Sequence, residues 1–72
     1  MANFSERIIQ IRNEKTLRQK DIADGIGVHV RTYQYYEKGQ KEPTLSVLIA
    51  LADYFDVSLD YLVGRSDNPS RH

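Results

Sequence analysis

The chain has 72 residues, which predicts one domain with a thin hydrophobic core. It contains no cysteine, so disulfides and thiolate metal sites are excluded, and its two histidines lie far apart without acidic partners at ligand spacing. The formal net charge is zero, but residues 1–41 carry eight basic and five acidic side chains, whereas residues 42–72 carry two and five. This asymmetry suits a domain that presents its basic end to an anionic partner.

Two broad classes of protein are not favoured by the sequence. The longest apolar run, residues 48–52, is far too short to span a membrane, and the N-terminus lacks the pattern of a signal peptide, which predicts a cytoplasmic protein. There is no nucleophile–base pair, no glycine loop for phosphate and no metal cluster, so we expect neither an enzyme nor a cofactor.

The first predicted helix covers residues 4–15, with Ser5 and Asn3 competing as its N-cap. Its apolar stripe has spacings of four and three: Phe4, Ile8 and Ile11. The second predicted helix covers residues 18–26, and Gly27 then ends it sharply because glycine adopts positive φ easily. Gly25 is a poor helix former at this point of the second helix.

The third predicted helix begins at His29 or Val30 and stops after Lys38 at Gly39; a turn closed by Pro43 follows. The fourth begins at the N-cap Thr44 and has a predicted buried stripe of Leu45, Leu48, Leu51, Ala52 and Phe55. A last short helix follows the N-cap Ser58, carries Leu59, Leu62 and Val63, and ends at Gly64. No segment alternates with period two, so we predict an all-α domain of five helices over residues 1–65 and a polar, mobile tail over residues 66–72.

The spacing between residues 19 and 36 predicts a helix-turn-helix. Two helices that cross closely need a small side chain on the first, here Ala23, and a residue of positive φ four positions later, here Gly27. Apolar residues flank both positions: Ile22, Ile26, Val28, Tyr33 and Tyr36. Tyr33 and Tyr36 are expected to face the core, whereas Tyr35 is expected to point outward.

Six short stretches extend this pattern over residues 5–64. They are Glu-Arg-Ile-Ile-Gln-Ile-Arg at 6–12, Leu-Arg-Gln-Lys-Asp-Ile-Ala at 17–23, Gly-Val at 27–28, Tyr-Glu-Lys-Gly at 36–39, Pro-Thr-Leu at 43–45 and Val-Ser-Leu-Asp-Tyr-Leu at 57–62. In these stretches the chain resembles the Cro/repressor-type, or XRE-like, helix-turn-helix family. The resemblance implies a five-helix repressor-like domain and a sequence-specific transcriptional regulator, in most members a repressor, of bacterial or phage origin.

The resemblance also implies roles for individual residues. Gln19 would hold a phosphate of double-stranded DNA, and helix 30–38 would read the major groove. The outward positions of that helix, which would meet base edges and phosphates, are Val30, Arg31, Gln34 and Tyr35. Lys38 and Lys41 would meet phosphate after the helix. Arg12 and Glu37 match a structural ion pair that ties the first helix to the third.

The sequence departs from the family pattern at two N-caps. Arg18 and His29 stand where most members have Ser or Thr. Both could contact phosphate, but neither is expected to cap a helix well, so the helix starts are left open within a residue or two.

The resemblance further implies a homodimer on a palindromic operator. Leu59 and Tyr61 alternate with Leu62 and are not expected all to face one small core, so we assign Leu59 and Tyr61 to the dimer interface. The alternative is that both are ordinary core or surface residues. The alternative function is a protein-interaction module on the same fold, such as an antitoxin or a coactivator-like protein.

Overall fold

The computed structural model describes residues 3–71, which form five α-helices joined by short turns. They are α1 (Phe4–Lys15), α2 (Gln19–Ile26), α3 (Val30–Lys38), α4 (Leu45–Phe55) and α5 (Leu59–Leu62). No strand occurs among these residues, so the predicted all-α fold with five helices is confirmed. None of the helices in this described part is long and apolar enough to cross a membrane. Residues 1, 2 and 72, which the predicted domain and tail include, lie outside the described residues.

Polar side chains before the helices determine most of the helix starts. Asn3, not Ser5, caps α1, because its Oδ1 accepts the backbone N–H of Glu6 at 2.9 Å. The predicted caps Thr44 and Ser58 accept backbone N–H groups in the first turns of α4 and α5. Each cap satisfies one of the backbone donors that a helix start leaves unpaired.

The N-cap of α3 differs from the expectation that His29 would not cap a helix well. His29 does cap the helix, because its Nδ1 accepts the backbone N–H of Arg31 at 3.1 Å. A neutral imidazole has one nitrogen without a proton, and that nitrogen can accept in place of the hydroxyl of Ser or Thr. Arg18, at the start of α2, makes no side-chain cap, as the sequence had indicated.

The core lies where the five helices meet. Its buried apolar residues are Ile8, Ile11, Ile22, Ala23, Tyr33, Tyr36, Leu51, Ala52, Phe55, Val57, Tyr61 and Leu62. The predicted stripe of α4 is wrong at its first position, because Leu45 is 69% exposed in the first turn, beyond the reach of the core. Gly25 has a packing role as well, since a Cβ at that position would overlap the ring of Tyr54 on α4.

Tyr61 belongs to this core, which corrects the expectation that it points away. The residue is 8% exposed, and the guanidinium carbon of the buried Arg7 lies 3.8 Å from its ring centroid. The same Arg7 donates from Nη2 to the carboxylate of Asp67 at 3.1 Å. A cation held between an aromatic face and a carboxylate is stabilised although it is buried, and here it ties α1 to both α5 and the tail.

The tail contacts the domain at two further points. The backbone N–H of Ser58 donates to the carbonyl of Pro69 at 3.1 Å. Arg71 donates to the carbonyl of Ala52 at 3.2 Å and to Asp53 at 2.6 Å, near the C-terminal end of α4. A cation is favourable there because the helix dipole is negative at its C-terminus. Residues 66–71 are therefore packed along α4 and α5.

An ion pair joins α1 to α3. Arg12 donates from Nε to Oε2 of Glu37 at 2.6 Å and from Nη2 to Oε1 at 3.0 Å, the bidentate geometry that suits a guanidinium and a carboxylate. The Glu37 side chain is 7% exposed. Burial acts to raise the pKa of Glu37, but hydrogen bonds led by that from Arg12 outweigh it, so the pKa lies below its ordinary value. Burial raises the pKa of the neighbouring Tyr33 hydroxyl, which stays protonated beside the pair.

The backbone at the end of α1 generates a first prediction. Thr16 has φ of 54°, a left-handed conformation that costs a non-glycine residue roughly 1–2 kcal/mol. Thr16→Gly should raise the free energy of unfolding by about 0.5–1 kcal/mol, because glycine removes this strain but gives the unfolded chain more freedom. Urea unfolding, monitored by circular dichroism, measures this change in the free energy of unfolding.

Ala50→Gly, inside α4, is the control and should lower the free energy of unfolding by about 1 kcal/mol. An equal loss in Thr16→Gly would refute the explanation.

The ion pair generates a second prediction, on pH. Because the pKa of folded Glu37 is lowered, its contribution to stability is present above the unfolded pKa of roughly 4.3 and is lost as pH falls through the lower folded pKa. Glu37→Gln should cost about 2–3 kcal/mol at pH 7, somewhat less than the roughly 3–5 kcal/mol for a fully buried pair. Below pH 4, urea titrations should show a smaller difference in the free energy of unfolding between Glu37→Gln and the unmodified protein.

Asp21→Asn is the matched control for that experiment. Asp21 pairs with Arg18 on the surface, and hydrogen bonding to Arg18 is the main reason that its pKa is also lowered. Solvent screens such a pair, so Asp21→Asn should lower the free energy of unfolding much less than Glu37→Gln does. A pH dependence that is the same in Glu37→Gln as in the unmodified protein would contradict the assignment.

Candidate nucleic-acid interface

The two helices that the sequence singled out, α2 and α3, pack directly against each other. Ala23 on α2 is fully buried at their contact, and Gly27 ends α2 with φ of 76°. A Cβ on Gly27 would meet no atom within 4 Å, so glycine is required there for its backbone conformation and not for space. The turn is closed by a hydrogen bond of 3.0 Å from the N–H of Val28 to the carbonyl of Ala23. These contacts hold α3 at a fixed angle to α2.

The side chains of α3 divide between an inner and an outer face. Tyr33 and Tyr36 are buried, as expected, and their rings pack edge to face with centroids 6.4 Å apart. Ser5 on α1 fixes the end of α3, because its hydroxyl donates to the carbonyl of Tyr36 at 2.7 Å. Sequence reasoning considered Ser5 only as a cap, since nothing in a pattern of residues shows a contact across 31 positions.

The outer face of α3 carries most of the residues that sequence analysis selected. Arg31, Tyr35 and Lys38 are exposed, and Gln34 is half-buried. Val30 is also half-buried, because it packs partly against the core and so presents only part of its side chain. Arg31, Gln34, Tyr35 and Lys38 therefore form the outer surface of the helix, with Val30 at its edge.

Cations on and near this face differ in whether they are neutralised. Within residues 3–71, Arg31, Lys38 and Lys41 make no ion pair with a carboxylate. Arg18, by contrast, makes two hydrogen bonds to Asp21 at 3.0 and 3.1 Å. Cations that no carboxylate neutralises attract anions, whereas Arg18 must first exchange its carboxylate for a new partner.

Two glutamines connect the ion pair to the outer face. Gln19, the first residue of α2, donates from Nε2 to Oε1 of Glu37 at 3.0 Å. Gln34 donates from Nε2 to Oε1 of Gln19 at 3.2 Å. Sequence analysis selected Gln19 and Gln34 for separate roles, and the structure brings them into contact. Their separation of 15 residues across a turn gave no signal of this contact.

The remaining selected residues lie at the ends of the unit. His29 is exposed between α2 and α3, and its capping bond uses Nδ1 and leaves Nε2 outward. Lys41 is exposed after α3. In residues 3–71 no three His, Asp or Glu side chains converge in a way that could hold a metal ion. The site therefore consists of basic, amide and aromatic groups on the outer face of α3 and at the ends of the α2–α3 unit, a composition that suits recognition of an anion.

The two residues selected for a dimer interface are not equivalent. Leu59 is 42% exposed, whereas Tyr61 is buried, so only Leu59 offers a side chain to a partner. Ile49 on α4 lines a shallow groove together with Leu59 and is exposed as well. The sequence did not single out Ile49, because its place on α4 lies off the predicted stripe.

Comparison with known proteins places these features in a family. The chain is 40% identical over 65 residues to the transcriptional regulator YqaE of Bacillus subtilis, covering 90% of this chain and 56% of that protein. It is 41% identical over 64 residues to the phage CTXphi transcriptional repressor RstR of Vibrio cholerae, covering 89% of this chain and 58% of that protein. The chain thus spans little more than half the length of these relatives.

A solved structure and a family profile agree with these relatives. The P22 c2 repressor, solved in complex with a synthetic operator, superposes with a TM-score of 0.84 and 27% identity over 92% of this chain and all of that one. The profile of the helix-turn-helix family matches residues 8–62. That match includes α2, the turn and α3, together with the helices that support them, and the chain belongs to the helix-turn-helix family.

Proposed function

We propose that this chain binds double-stranded DNA in a sequence-specific manner and regulates transcription, with α3 in the major groove. The observation that carries the proposal is the outer face of α3, where Arg31 and Lys38 lie beside Gln34 and Tyr35 and pair with no carboxylate of residues 3–71. An α-helix is about 10–12 Å across, which fits a major groove about 12 Å wide. The relatives named as repressors, and the P22 c2 repressor with its operator, support the same reading.

The proposed contacts fall into two groups. Those that position the protein on phosphate are Arg18, Gln19, His29, Lys38 and Lys41. Those that meet base edges are Val30, Arg31, Gln34 and Tyr35. Arginine and glutamine can each make two hydrogen bonds to one purine, whereas valine and tyrosine can pack on a thymine methyl group. Phosphate contacts set the register, and base contacts then specify the sequence.

The biological part of the proposal follows from this binding mode. A protein seated on an operator blocks access to that DNA, so repression is the regulatory outcome that we propose. The transcriptional repressor RstR, from a phage, supports a phage or prophage setting. DNA as the target implies a cytoplasmic site of action in a bacterium.

We further propose that the DNA-bound form is a homodimer on a palindromic operator. The surface opposite the candidate interface is available for this, because α5 packs against α1 and α4, whereas α3 packs against α1 and α2. Leu59 and Ile49 are two exposed apolar side chains of α5 and α4 that line the same groove. For both copies of α3 to enter the major groove, a two-fold contact there must hold them about 34 Å apart, which is one turn of DNA.

The same exposed apolar side chains favour the second candidate, a protein-interaction module. Gel shifts on random DNA and on DNA selected from a random pool separate the two functions. DNA binding predicts tighter retention of selected sequences and a steep loss of affinity with salt. An interaction module predicts weak retention of both DNAs without preference.

Arg31 provides the third prediction. It lies exposed in the first turn of α3 and forms no ion pair within residues 3–71, and an arginine can bind guanine O6 and N7 together. Arg31→Ala should weaken binding to a selected site by about fivefold to 150-fold, which corresponds to roughly 1–3 kcal/mol. Fluorescence anisotropy on selected and random duplexes measures both affinities.

The control for that experiment is Lys41→Ala. A phosphate contact should lower the affinity for both duplexes by a similar factor and reduce the salt slope by about one. If Arg31→Ala also lowers the affinities for the selected and the random duplex by the same factor, Arg31 contacts phosphate only. If it lowers neither affinity, Arg31 does not contact DNA.

Stoichiometry provides the fourth prediction. Two copies should bind each palindromic duplex cooperatively, and Leu59→Asp should reduce affinity for the palindrome by about tenfold, equivalent to 1.4 kcal/mol, without changing affinity for a single half-site. Analytical ultracentrifugation of the complexes gives the number of copies. Asn13→Asp, which adds one negative charge on the exposed part of α1, should leave both affinities unchanged. One copy per palindrome at saturation would rule out the dimer.

Tyr61 does not suit the same test, because it is buried against Arg7. A substitution there would remove core packing and the contact with Arg7, so a lower affinity would not report on a partner.

A further inference from the structure

A continuous chain of hydrogen bonds runs from the interior of the domain to the outer face of α3. It begins at the ion pair of Arg12 and Glu37, passes through Gln19 and ends at Gln34. The two links that involve glutamine are 3.0 and 3.2 Å long, both within hydrogen-bond distance. These hydrogen bonds therefore connect the buried charge of Glu37 to the side chain of Gln34, which the proposed function places against a base pair.

The first link has only one chemically reasonable direction. An ionised carboxylate has no proton to donate, so Glu37 can only accept. The bidentate contact with Arg12 holds Glu37 in that ionised form. If the amide of Gln19 were turned over, its carbonyl oxygen would face the carboxylate with no proton between them, and a bond to a charged group would be lost. The Nε2 of Gln19 therefore faces Glu37.

The second link follows from the first. With Nε2 of Gln19 turned inward, its carbonyl oxygen faces outward and needs a donor. Gln34 supplies that donor from its own Nε2. A reversed Gln34 amide would set two carbonyl oxygens against each other. The buried carboxylate thus fixes the direction of both amides, one after the other.

After its bond to Gln19, the amide of Gln34 still has one acceptor and one donor that could bind a base. Within residues 3–71 its Oε1 takes part in no hydrogen bond, and one of the two protons on Nε2 is not used. An acceptor beside a donor matches the major-groove edge of adenine, which presents the N6 amino group beside the N7 acceptor. Guanine presents two acceptors, O6 and N7, and would oppose the outward carbonyl oxygen.

We propose that Gln34 reads an adenine and that Gln19 is the positioning residue that fixes the direction of its amide. This inference rests on the proposed function, because it requires α3 to lie in the major groove. It gives Gln19 a second role besides the proposed phosphate contact, for which the second proton on its Nε2 is the donor. Gln19 sets a base preference although it touches no base.

The test starts from DNA sequences selected by the unmodified protein, and then compares duplexes that differ at one base pair. At one position the unmodified protein should prefer adenine to guanine by about tenfold or more. Gln34→Met should abolish that preference. Gln19→Met should also reduce it to less than about threefold, because the amide of Gln34 can then turn over and offer a donor in place of its acceptor.

Lys41→Met separates positioning from a simple phosphate contact. It should weaken binding to the adenine and guanine duplexes by the same factor, so the ratio between them stays unchanged. If Gln19→Met also leaves the ratio unchanged, Gln19 holds only phosphate and the inference is wrong. Circular dichroism and urea unfolding establish that each variant is folded under the binding conditions.

Gln34→Glu offers a second variant, in which the carboxylate cannot donate to Gln19 and must turn away from its carbonyl oxygen towards the DNA. A carboxylate only accepts, so the preference at the same position should move from adenine to cytosine, whose N4 amino group is a donor. A preference of the unmodified protein for guanine, or an unchanged adenine preference in Gln34→Met, would overturn the inference and leave the proposed function intact. Absence of any sequence preference in the unmodified protein would overturn the proposed function itself.

Discussion

The carboxylate of Glu37 is almost completely buried, and the helices meet in the arrangement that satisfies it. Left alone at that position, an ionised group would cost several kcal/mol. Arg12 from α1 and Gln19 from the start of α2 supply the donors. Since α1 and α2 must hold these donors within about 3 Å of a carboxylate that belongs to α3, hydrogen bonding as well as packing fixes the position of α3.

The outer face of α3 can be polar and charged because its inner face is anchored so firmly. Tyr33 and Tyr36 fill the core behind it, and Ser5 holds its last turn. Two carboxylates of the C-terminal half pair with arginines outside α3, since Asp53 contacts Arg71 of the tail and Asp67 contacts Arg7 of α1. Within residues 3–71, no carboxylate forms an ion pair with Arg31 or Lys38.

The sequence predicted local features well and long-range contacts poorly. Helix bounds were predicted because apolar spacing and the positive φ of Gly27 and Gly39 are local properties. Tyr61 was misjudged because a helix of four residues is too short to show a period. Its burial depends on Arg7, and Arg7 reaches Asp67 across 60 residues. The link between Gln19 and Gln34 likewise exists only once α2 and α3 are packed.

The central claim is that α3 lies in the major groove, and isotope-filtered nuclear Overhauser spectra of the protein on a selected duplex test it most directly. Side-chain protons of Val30, Arg31 and Tyr35 should show contacts to thymine methyl, cytosine H5 or purine H8 protons, which line the major groove. Contacts from these residues to adenine H2 protons in the minor groove would contradict the account, as would contacts to DNA made chiefly by α4 and α5.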